Sequence, residues 1–178
     1  YAFLILFFFI LMYAYILYPT RLKKQASGKT LPFEVYSMQD NLPAVNIVIP
    51  VCNEEKVIEA KLNSILQSDY PNDKIQIFLG LDNCTDSTKS IIESKFSTDI
   101  IKVIEFTERQ GKPNVLNQII EKQISNDDSI LILTDANVIF TKTTIFELIK
   151  YFKDEQIGLV DANIQPKRIS NTNEKDYW

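Results

Sequence analysis

The sequence opens with an uninterrupted apolar stretch before any polar pattern begins. Residues 1–18 carry no charged side chain and are dominated by Leu, Ile and Phe. As an α-helix they would span about 27 Å, close to the roughly 30 Å hydrocarbon core of a bilayer. We therefore predict a transmembrane helix over 1–18, with Tyr1, Tyr13, Tyr15 and Tyr18 near the membrane interfaces.

The segment 19–44 contains several prolines and mixed charges without a sustained period, which indicates a juxtamembrane linker. Its basic cluster of Arg21, Lys23, Lys24 and Lys29 favours a cytoplasmic location for the chain that follows. The alternative is a cleaved signal peptide, but the apolar region of such peptides is typically about 7 to 15 residues long. We expect a protein of the inner or plasma membrane whose main domain is cytoplasmic.

Beyond residue 44, short β-branched runs alternate with amphipathic stretches, which is typical of an α/β domain. The predicted strands are Val45–Val51, Ile75–Leu81, Ile100–Phe106, Ser129–Leu133 and Ile157–Ala162, and the predicted helices are Glu54–Gln67, Ser87–Phe96, Pro113–Ile124 and Thr143–Phe152. In the first of these helices Ile58, Leu62 and Ile65 form the predicted buried face and Lys61 lies off it. We predict a mostly parallel open sheet with helices on both faces over 45–178, and we expect this domain to continue beyond Trp178.

Composition narrows the classes of function. The chain of 178 residues has a net charge of −4 and scattered basic residues, which argues against nucleic-acid binding. Two cysteines, Cys52 and Cys84, and no histidine exclude a CxxC zinc site and Ser-His or Cys-His catalysis within these residues. No glycine-rich loop follows the first strand, which counts against a nucleotidyltransferase and against a dinucleotide-binding oxidoreductase.

Polar side chains cluster where the predicted strands end. These clusters are Asn53-Glu54-Glu55, Asp82-Asn83-Cys84-Thr85-Asp86, Arg109-Gln110-Gly111-Lys112 and Asp135-Ala136-Asn137. In an open parallel sheet, ligands bind outside the carboxyl ends of the strands. Carboxylates, amides and a lysine at that edge suit a diphosphate and a divalent metal. We expect Asp86 or Ser87, by contrast, to cap the helix that begins there, which would make Asp86 structural.

The same clusters contain four ordered motifs that resemble those of family 2 glycosyltransferases with a GT-A fold. They are the runs 48–55 and 82–88, Gly111-Lys112 followed by Leu116-Asn117, and Asp135-Ala136-Asn137. The resemblance covers roughly 45–178. It implies an enzyme of hexosyltransferase type that moves a sugar from a nucleotide-diphosphate sugar, expected to be UDP-linked, by an inverting single displacement. The implied acceptor is a lipid-linked or glycan molecule at the cytoplasmic membrane face.

The resemblance also implies roles for individual residues. Asp82 matches an aspartate that accepts a hydrogen bond from the uracil N–H, and Asp135 matches the first residue of a DxD-type motif beside the diphosphate and its metal. Lys112 is expected near the diphosphate. The implied donor-binding residues are Pro50, Val51, Asn53, Glu54, Asp82, Lys112 and Asp135, the implied metal ligands are Asp135 and Asn137, and the implied cofactor is Mn²⁺ or Mg²⁺.

This sequence departs from the family pattern at three positions. Asn137 replaces the second Asp of the DxD motif, Leu81 stands where many relatives have Asp, and Cys52 stands where an aromatic residue or His is frequent. Inverting relatives take the catalytic base from a later carboxylate, so we expect the base beyond Trp178. The alternative function is a non-catalytic, membrane-tethered domain that binds a nucleotide sugar.

Overall fold

The computed structural model describes residues 2–27, 34–96, 98–124 and 128–165. The chain forms two compact units, which divide between Phe33 and Glu34. The first unit contains the apolar N-terminal helix, and the second contains the α/β domain.

The N-terminal unit is one helical stretch from Ala2 onward. Its parts are α1 (Ala2–Met12), a π-helical turn (Tyr13–Leu17) and α2 (Tyr18–Ala26). The turn precedes Pro19, which has no N–H to continue the regular hydrogen-bond pattern. Within the described chain, Phe3–Gln25 is the one helix long and apolar enough to cross a membrane. The helix therefore extends past the predicted end at residue 18, and Lys23 and Lys24 lie in its last turn, where they complement the helix dipole.

The α/β domain is built on a parallel sheet, as the sequence predicts; four strands are present among the described residues. They are β1 (Val45–Val51), β2 (Ile75–Asp82), β3 (Ile101–Phe106) and β4 (Ile130–Leu133), in the spatial order β3-β2-β1-β4. Val45 of β1 pairs with Ile75 on one side and with Ile130 on the other. Because β1 is central and buried on both faces, it has a near-continuous apolar sequence.

Helices cover both faces of this sheet. They are α3 (Ile58–Leu66), α4 (Thr88–Lys95), α5 (Lys112–Ile119, continued by a π-helical segment Ile120–Ile124) and α6 (Thr144–Ile149, continued by a 3₁₀ segment Lys150–Lys153). Side chains alternate along β1, so that Ile47 and Ile49 join the core formed with α3, α4 and α6. Val48 instead packs with Val115 and Ile119 of α5. The predicted arrangement of helices on both faces is confirmed.

The end of the predicted linker packs against the α/β domain. The Tyr36 N–H donates to the Lys150 carbonyl at 2.8 Å, and the Tyr70 hydroxyl donates to the Pro43 carbonyl at 2.6 Å. Leu42 is buried in the core. Residues 34–44 thus belong structurally to the domain that follows them.

The predicted fifth strand, Ile157–Ala162, is wrong. The segment has no regular secondary structure, and Leu159 is 83% exposed. A strand needs a neighbouring edge for its backbone N–H and C=O groups, and none of the described strands pairs with this segment. Local apolar character predicts a strand but does not reveal whether such an edge is available.

The prediction that Lys61 lies off the buried face of α3 is also wrong. Lys61 is fully buried, and its Nζ donates to Oγ1 of Thr134 at 3.0 Å and to the Val138 carbonyl at 2.5 Å. α3 is covered by the chain that follows β4 as well as by the sheet. Its buried arc is therefore wider than the apolar residues alone indicate.

Gly80 in β2 is the point where α5 approaches the sheet most tightly. A Cβ at this position would overlap Cγ1 of Val115 and would lie 2.8 Å from Cδ1 of Ile119. Both neighbours are fully buried, so they have little room to move away. The absence of a side chain at Gly80 therefore sets the distance between α5 and the sheet.

We expect Gly80→Ala to lower the free energy of unfolding by about 1–3 kcal/mol, because added volume strains a well-packed interior. Adding Val115→Ala to the Gly80→Ala variant should restore part of the lost free energy of unfolding, because it removes the Cγ1 atom that the new Cβ would overlap. Urea unfolding of the whole chain in detergent, followed by circular dichroism, measures both effects. Gly158→Ala is the control, since its Cβ would meet nothing within 4 Å. Equal destabilisation at the two glycines would contradict the packing role of Gly80.

Candidate functional site

The carboxyl ends of β1, β2 and β4 border a cleft of about 270 Å³. It is lined by Pro50, Val51, Cys52, Glu54, Asp82, Arg109, Gly111, Lys112, Asp135, Ala136 and Asn137. All the predicted donor-binding residues except Asn53 line it, and so do both predicted metal ligands. The parallel topology thus brings four separate chain segments to one edge of the sheet.

Asn53, the predicted site residue that does not line the cleft, supports the loop after β1. Its backbone φ is 58°, in the left-handed region that Asn tolerates better than most residues do. Its Oδ1 accepts a hydrogen bond from the Thr85 N–H at 2.8 Å. Asn53 therefore ties the loop after β1 to the loop after β2 and holds the adjacent Cys52 and Glu54 in the cleft wall.

Two acidic side chains join the same loops at the start of α4. The Glu55 N–H donates to Oδ2 of Asp86 at 3.1 Å, and the Ser87 N–H donates to Oε2 of Glu55 at 3.0 Å. Oδ1 of Asp86 accepts from the Thr88 N–H at 3.0 Å, although the N-cap of α4 is Ser87, whose side chain makes no capping hydrogen bond. Burial alone would raise the pKa of the Asp86 carboxyl, but the hydrogen bonds from Thr88 and Glu55 hold it below its usual value. Both carboxylates are therefore parts of the loop framework.

Asp82, at the end of β2, holds the loop that precedes α5. Its buried carboxylate accepts hydrogen bonds from the N–H groups of Gln110 at 2.6 Å and of Gly111 at 2.9 Å. Gly111 has a φ of 79°, a conformation that L side chains rarely adopt. An ionised carboxylate offers about four acceptor positions. Asp82 can therefore hold this loop and still accept a hydrogen bond from a ligand in the cleft.

An ion pair joins two walls of the cleft. Nζ of Lys112, at the start of α5, lies 2.5 Å from Oδ1 of Asp135, which follows β4. The two side chains are 56% and 46% exposed. Ion pairs with this exposure typically contribute about 1 kcal/mol or less. A ligand can therefore separate Lys112 from Asp135 at little energetic cost.

Glu54 adds another carboxylate to the same wall. Its backbone N–H donates to Oγ1 of Thr88 at 2.9 Å, which fixes its position beside the cleft. Partial burial raises the pKa of the Glu54 carboxyl, and the negative charges of Asp135 and Asp86 raise it further. These carboxylates make this part of the cleft attractive to a cation.

Asp135 and Asn137 fit part of the coordination shell of a hard divalent cation. Their carboxylate and amide oxygens are ligands that Mg²⁺ and Mn²⁺ accept. Across the residues that the structure describes, no group of three or more His, Cys, Asp or Glu side chains could hold a metal by itself. Water and substrate phosphates can supply further ligands, as is usual for Mg²⁺ at phosphate sites.

Lys61 is the part of this region that sequence reasoning missed. Its ammonium group is bonded to the residues on either side of the 135–137 turn, and it lies 3.7 Å from the ring centroid of Phe140. Burial lowers the pKa of Lys61 to about 7, although the charge of Asp135 acts to raise it. A signal was present, because Ile58, Lys61, Leu62 and Ile65 follow the i, i+3, i+4, i+7 spacing of a buried helix face.

Arg109, Cys52 and Cys84 are further residues of the loops that follow the strands. Arg109 and Cys52 line it although the sequence did not predict them as site residues, and Arg109 adds a second cation beside Lys112. Cys84 packs against the core, and its thiol donates to the Val51 carbonyl at 3.4 Å. Burial raises the pKa of the Cys84 thiol. Cys52 and Cys84 are both free thiols.

Comparison with known proteins identifies one family across most of the chain. The family described as Glycosyl transferase family 2 matches residues 46–177. A beta-monoglucosyldiacylglycerol synthase from Trichormus variabilis is 28% identical over 144 residues, which are 79% of this chain and 29% of that protein. The chain thus spans under a third of the length of this curated relative.

Solved structures show the same fold. A mannosyltransferase from Pyrobaculum calidifontis, in complex with GDP-Man and Mn²⁺, superposes with a TM-score of 0.68 at 28% identity, over 80% of this chain and 41% of that one. TarS 1-349 of S. aureus in complex with UDP superposes with a TM-score of 0.52 at 23% identity, over 58% of this chain and 30% of that one. The second likeness concerns the fold alone.

We predict that Lys61 makes the stability of the domain depend on pH. Its pKa is about 7 in the folded state and 10.5 as the ordinary value, so the unfolded state binds more protons between these two values. The free energy of unfolding should therefore rise with pH over that window, by at most about 1.4 kcal/mol per pH unit from this residue. Urea unfolding of the wild type and of Lys61→Met at about pH 6 and about pH 9 measures the effect.

The difference in stability between Lys61→Met and the wild type should favour the variant at the lower pH and should shrink at the higher pH. Lys95→Met is the control, because Lys95 is half exposed and pairs with the half-exposed Glu59. A difference that does not change with pH would contradict the lowered pKa of Lys61.

Proposed function

Because this chain belongs to glycosyl transferase family 2, we propose that it transfers a sugar from a UDP-linked donor to a lipid-linked or glycan acceptor at the cytoplasmic membrane face. The observation that carries the proposal is the convergence of Asp82, Lys112 and Asp135 on one cleft. Asp82 ends β2, Lys112 begins α5 and Asp135 follows β4, all at the carboxyl edge of the sheet. This placement suits a ligand with a hydrogen-bonding base at one end and a diphosphate at the other.

We assign the nucleotide base to the side of the cleft formed by Asp82. The carboxylate is already fixed by the Gln110 and Gly111 N–H groups, so its free acceptor positions have a defined direction. Uracil presents one ring N–H that such a carboxylate can accept, and guanine also presents N–H donors. The GDP-Man complex of the mannosyltransferase therefore makes GDP the necessary comparison for UDP in any binding experiment.

The diphosphate is assigned to the side formed by Lys112, Asp135 and Asn137. A divalent cation held by Asp135 and Asn137 would stabilise the charge that grows on the leaving diphosphate. Lys112 is paired with Asp135 in this structure, and its half-exposed ammonium group can turn toward a phosphate instead. Positive charge at that place favours departure of the nucleoside diphosphate.

The proposed reaction is a single displacement with inversion at the sugar carbon. An acceptor hydroxyl forms the new bond as the bond to the diphosphate breaks, and a general base takes the hydroxyl proton. We do not assign this base to Asp82 or Asp135, because Asp82 holds the loop before α5 and Asp135 is assigned to the metal beside the diphosphate. We propose that a carboxylate in a later segment of the domain supplies the base, as the family resemblance implies.

A membrane location would bring the domain to a lipid-linked acceptor. The stretch Phe3–Gln25 has the length and composition of a membrane span, and the basic residues at its end favour the cytoplasmic side for the domain. A tethered enzyme meets acceptors in the membrane at a high effective concentration. The helix thus supports the acceptor class that we propose.

The donor site can be tested by calorimetric titration of UDP and of GDP into the whole chain in detergent, with and without Mn²⁺. We expect UDP to bind more tightly with the metal present, and Asp135→Ala to weaken this binding at least tenfold because the carboxylate ligand is lost. Asp82→Asn should weaken UDP binding, since its amide replaces an acceptor of the base N–H with a donor.

Asp73→Ala is the matched control, because Asp73 is an exposed carboxylate on the short helix before β2, outside the cleft. It should bind like the wild type. If the folded wild-type chain bound neither nucleotide, the donor-site assignment would fail. If it bound the donor but never transferred sugar, even within a longer chain, the non-catalytic alternative would stand.

Lys112→Met should separate two effects of the ion pair. Without the ammonium group Asp135 is free, so Mn²⁺ alone should bind more tightly than to the wild type. UDP should bind less tightly, because the diphosphate loses a cation. Manganese titration by paramagnetic relaxation and UDP titration by calorimetry measure the two affinities. A change of both affinities in the same direction would contradict the assigned role of Lys112.

A further inference from the structure

We propose that Lys61 is a positioning residue that holds the 135–137 turn in the geometry needed to bind a metal and the donor diphosphate; its consequence for binding rests on the function proposed above. The turn follows β4 and carries Asp135 and Asn137 into the cleft. Lys61 does not line the cleft, and its hydrogen bonds go to neither Asp135 nor Asn137, although its charge and that of Asp135 attract each other. It acts from within the protein on the residues that flank them.

Lys61 forms hydrogen bonds to residues on both sides of the turn. Nζ donates to Oγ1 of Thr134, the residue before the turn, and to the carbonyl of Val138, the residue after it. Beyond Val138, the ring of Phe140 lies against the same ammonium group. One buried side chain thus spans the turn from its first flank to its last.

A second side chain of α3 supports the same segment. Oγ of Ser64, one helical turn after Lys61, accepts a hydrogen bond from the Phe140 N–H at 3.1 Å. The turn itself has a weaker internal contact, in which the Val138 N–H donates to the Asp135 carbonyl at 3.3 Å. The position of the turn therefore depends on α3 more than on its own hydrogen bonds.

Packing alone does not explain a lysine at position 61, because burial of its charge is unfavourable. A fully buried ammonium group loses its hydration, and two hydrogen bonds and one aromatic ring replace that hydration only in part. An unbranched apolar side chain of similar length would fill the same space without this loss. We therefore expect such an apolar side chain at position 61 to loosen the turn without lowering the stability of the domain.

The two lysines near Asp135 differ in how far their side chains can move. Lys112 pairs with Asp135 from the exposed side and can leave when a ligand binds. Lys61 is fully buried and anchored at two acceptors, so it stays in place. A fixed turn presents its carboxylate and amide oxygens without reorganisation on binding, which favours affinity.

The test uses Lys61→Met in the whole chain in detergent, with hydrogen exchange measured by mass spectrometry on peptides covering 134–140. Thermal unfolding should occur at the wild-type temperature or above it. Amides in 134–140 should exchange at least tenfold faster, while peptides from β1 and β2 stay at wild-type rates. Mn²⁺-dependent UDP binding should weaken at least tenfold.

Two further variants make the result decisive. Thr134→Val removes one acceptor of the ammonium group at nearly constant shape and should also accelerate exchange in 134–140. Lys95→Met removes an exposed lysine that pairs with Glu59 and should change neither exchange nor binding. Wild-type exchange in 134–140 of Lys61→Met and Thr134→Val would overturn the proposal.

The remaining outcomes are also informative. A lowered unfolding temperature with faster exchange throughout the domain would show that Lys61 is merely structural and would overturn the proposal. Faster exchange confined to 134–140, with unchanged Mn²⁺-dependent binding, would overturn it as well. If the wild type bound no UDP while exchange in 134–140 still rose selectively, Lys61 would remain the residue that positions the turn and the proposed function would fail instead.

Discussion

The parallel pairing of β1 with both β2 and β4 is the constraint on which the rest of this domain depends. Parallel strands need crossover connections, so every strand ends at the same edge and every return path lies over a face of the sheet. The faces are buried by helices, which leaves the carboxyl edge as the place where polar chain can gather. The cleft exists because the strands share a direction, and its residues are distant in sequence for the same reason.

Loops at such an edge must satisfy their own backbone groups, and here side chains from neighbouring loops do so. Asn53 accepts from Thr85, Asp86 from Glu55, Glu55 from Ser87, and Asp82 from Gln110 and Gly111. The polar residues that look catalytic in sequence thus divide into two groups. Some form the framework, and others, above all Lys112 and Asp135, remain exposed to a ligand.

The sequence predicted what depends on local pattern and failed where a distant partner decides. Strand β1 has its predicted bounds, and the predicted donor-site residues other than Asn53 line one cleft, because the shared strand direction brings them to one edge. The segment 157–162 has the apolar character of a strand, but no described edge receives it. The helical spacing of Lys61 places it on the buried face of α3, but its charge predicts a surface position. Its burial is explained by the hydrogen bonds to Thr134 and Val138, which are distant in sequence.

The same limit applies to the roles of single carboxylates. Asp82 and Asp86 stand in one turn-rich run, and nothing local separates a residue that holds a loop from one that also faces a ligand. The burial and the hydrogen-bond partners of the two carboxylates distinguish their roles. Asp86 accepts a hydrogen bond from the Thr88 N–H at the start of α4, whereas Asp82 holds the loop before α5 and also lines the cleft. Those partners lie far away in sequence, so only the fold reveals them.

Asn137 is best understood through the charge balance of the cleft. A divalent cation, Lys112 and Arg109 would supply the positive charge that faces a bound diphosphate. An Asp at position 137 would lower that positive charge, and the carboxyls of Glu54 and Asp135 already lie nearby. The amide keeps an oxygen ligand without adding a further anion beside Asp135. The departure from the DxD pattern is therefore compatible with a metal and a diphosphate, provided that the remaining carboxylate is held firmly in place.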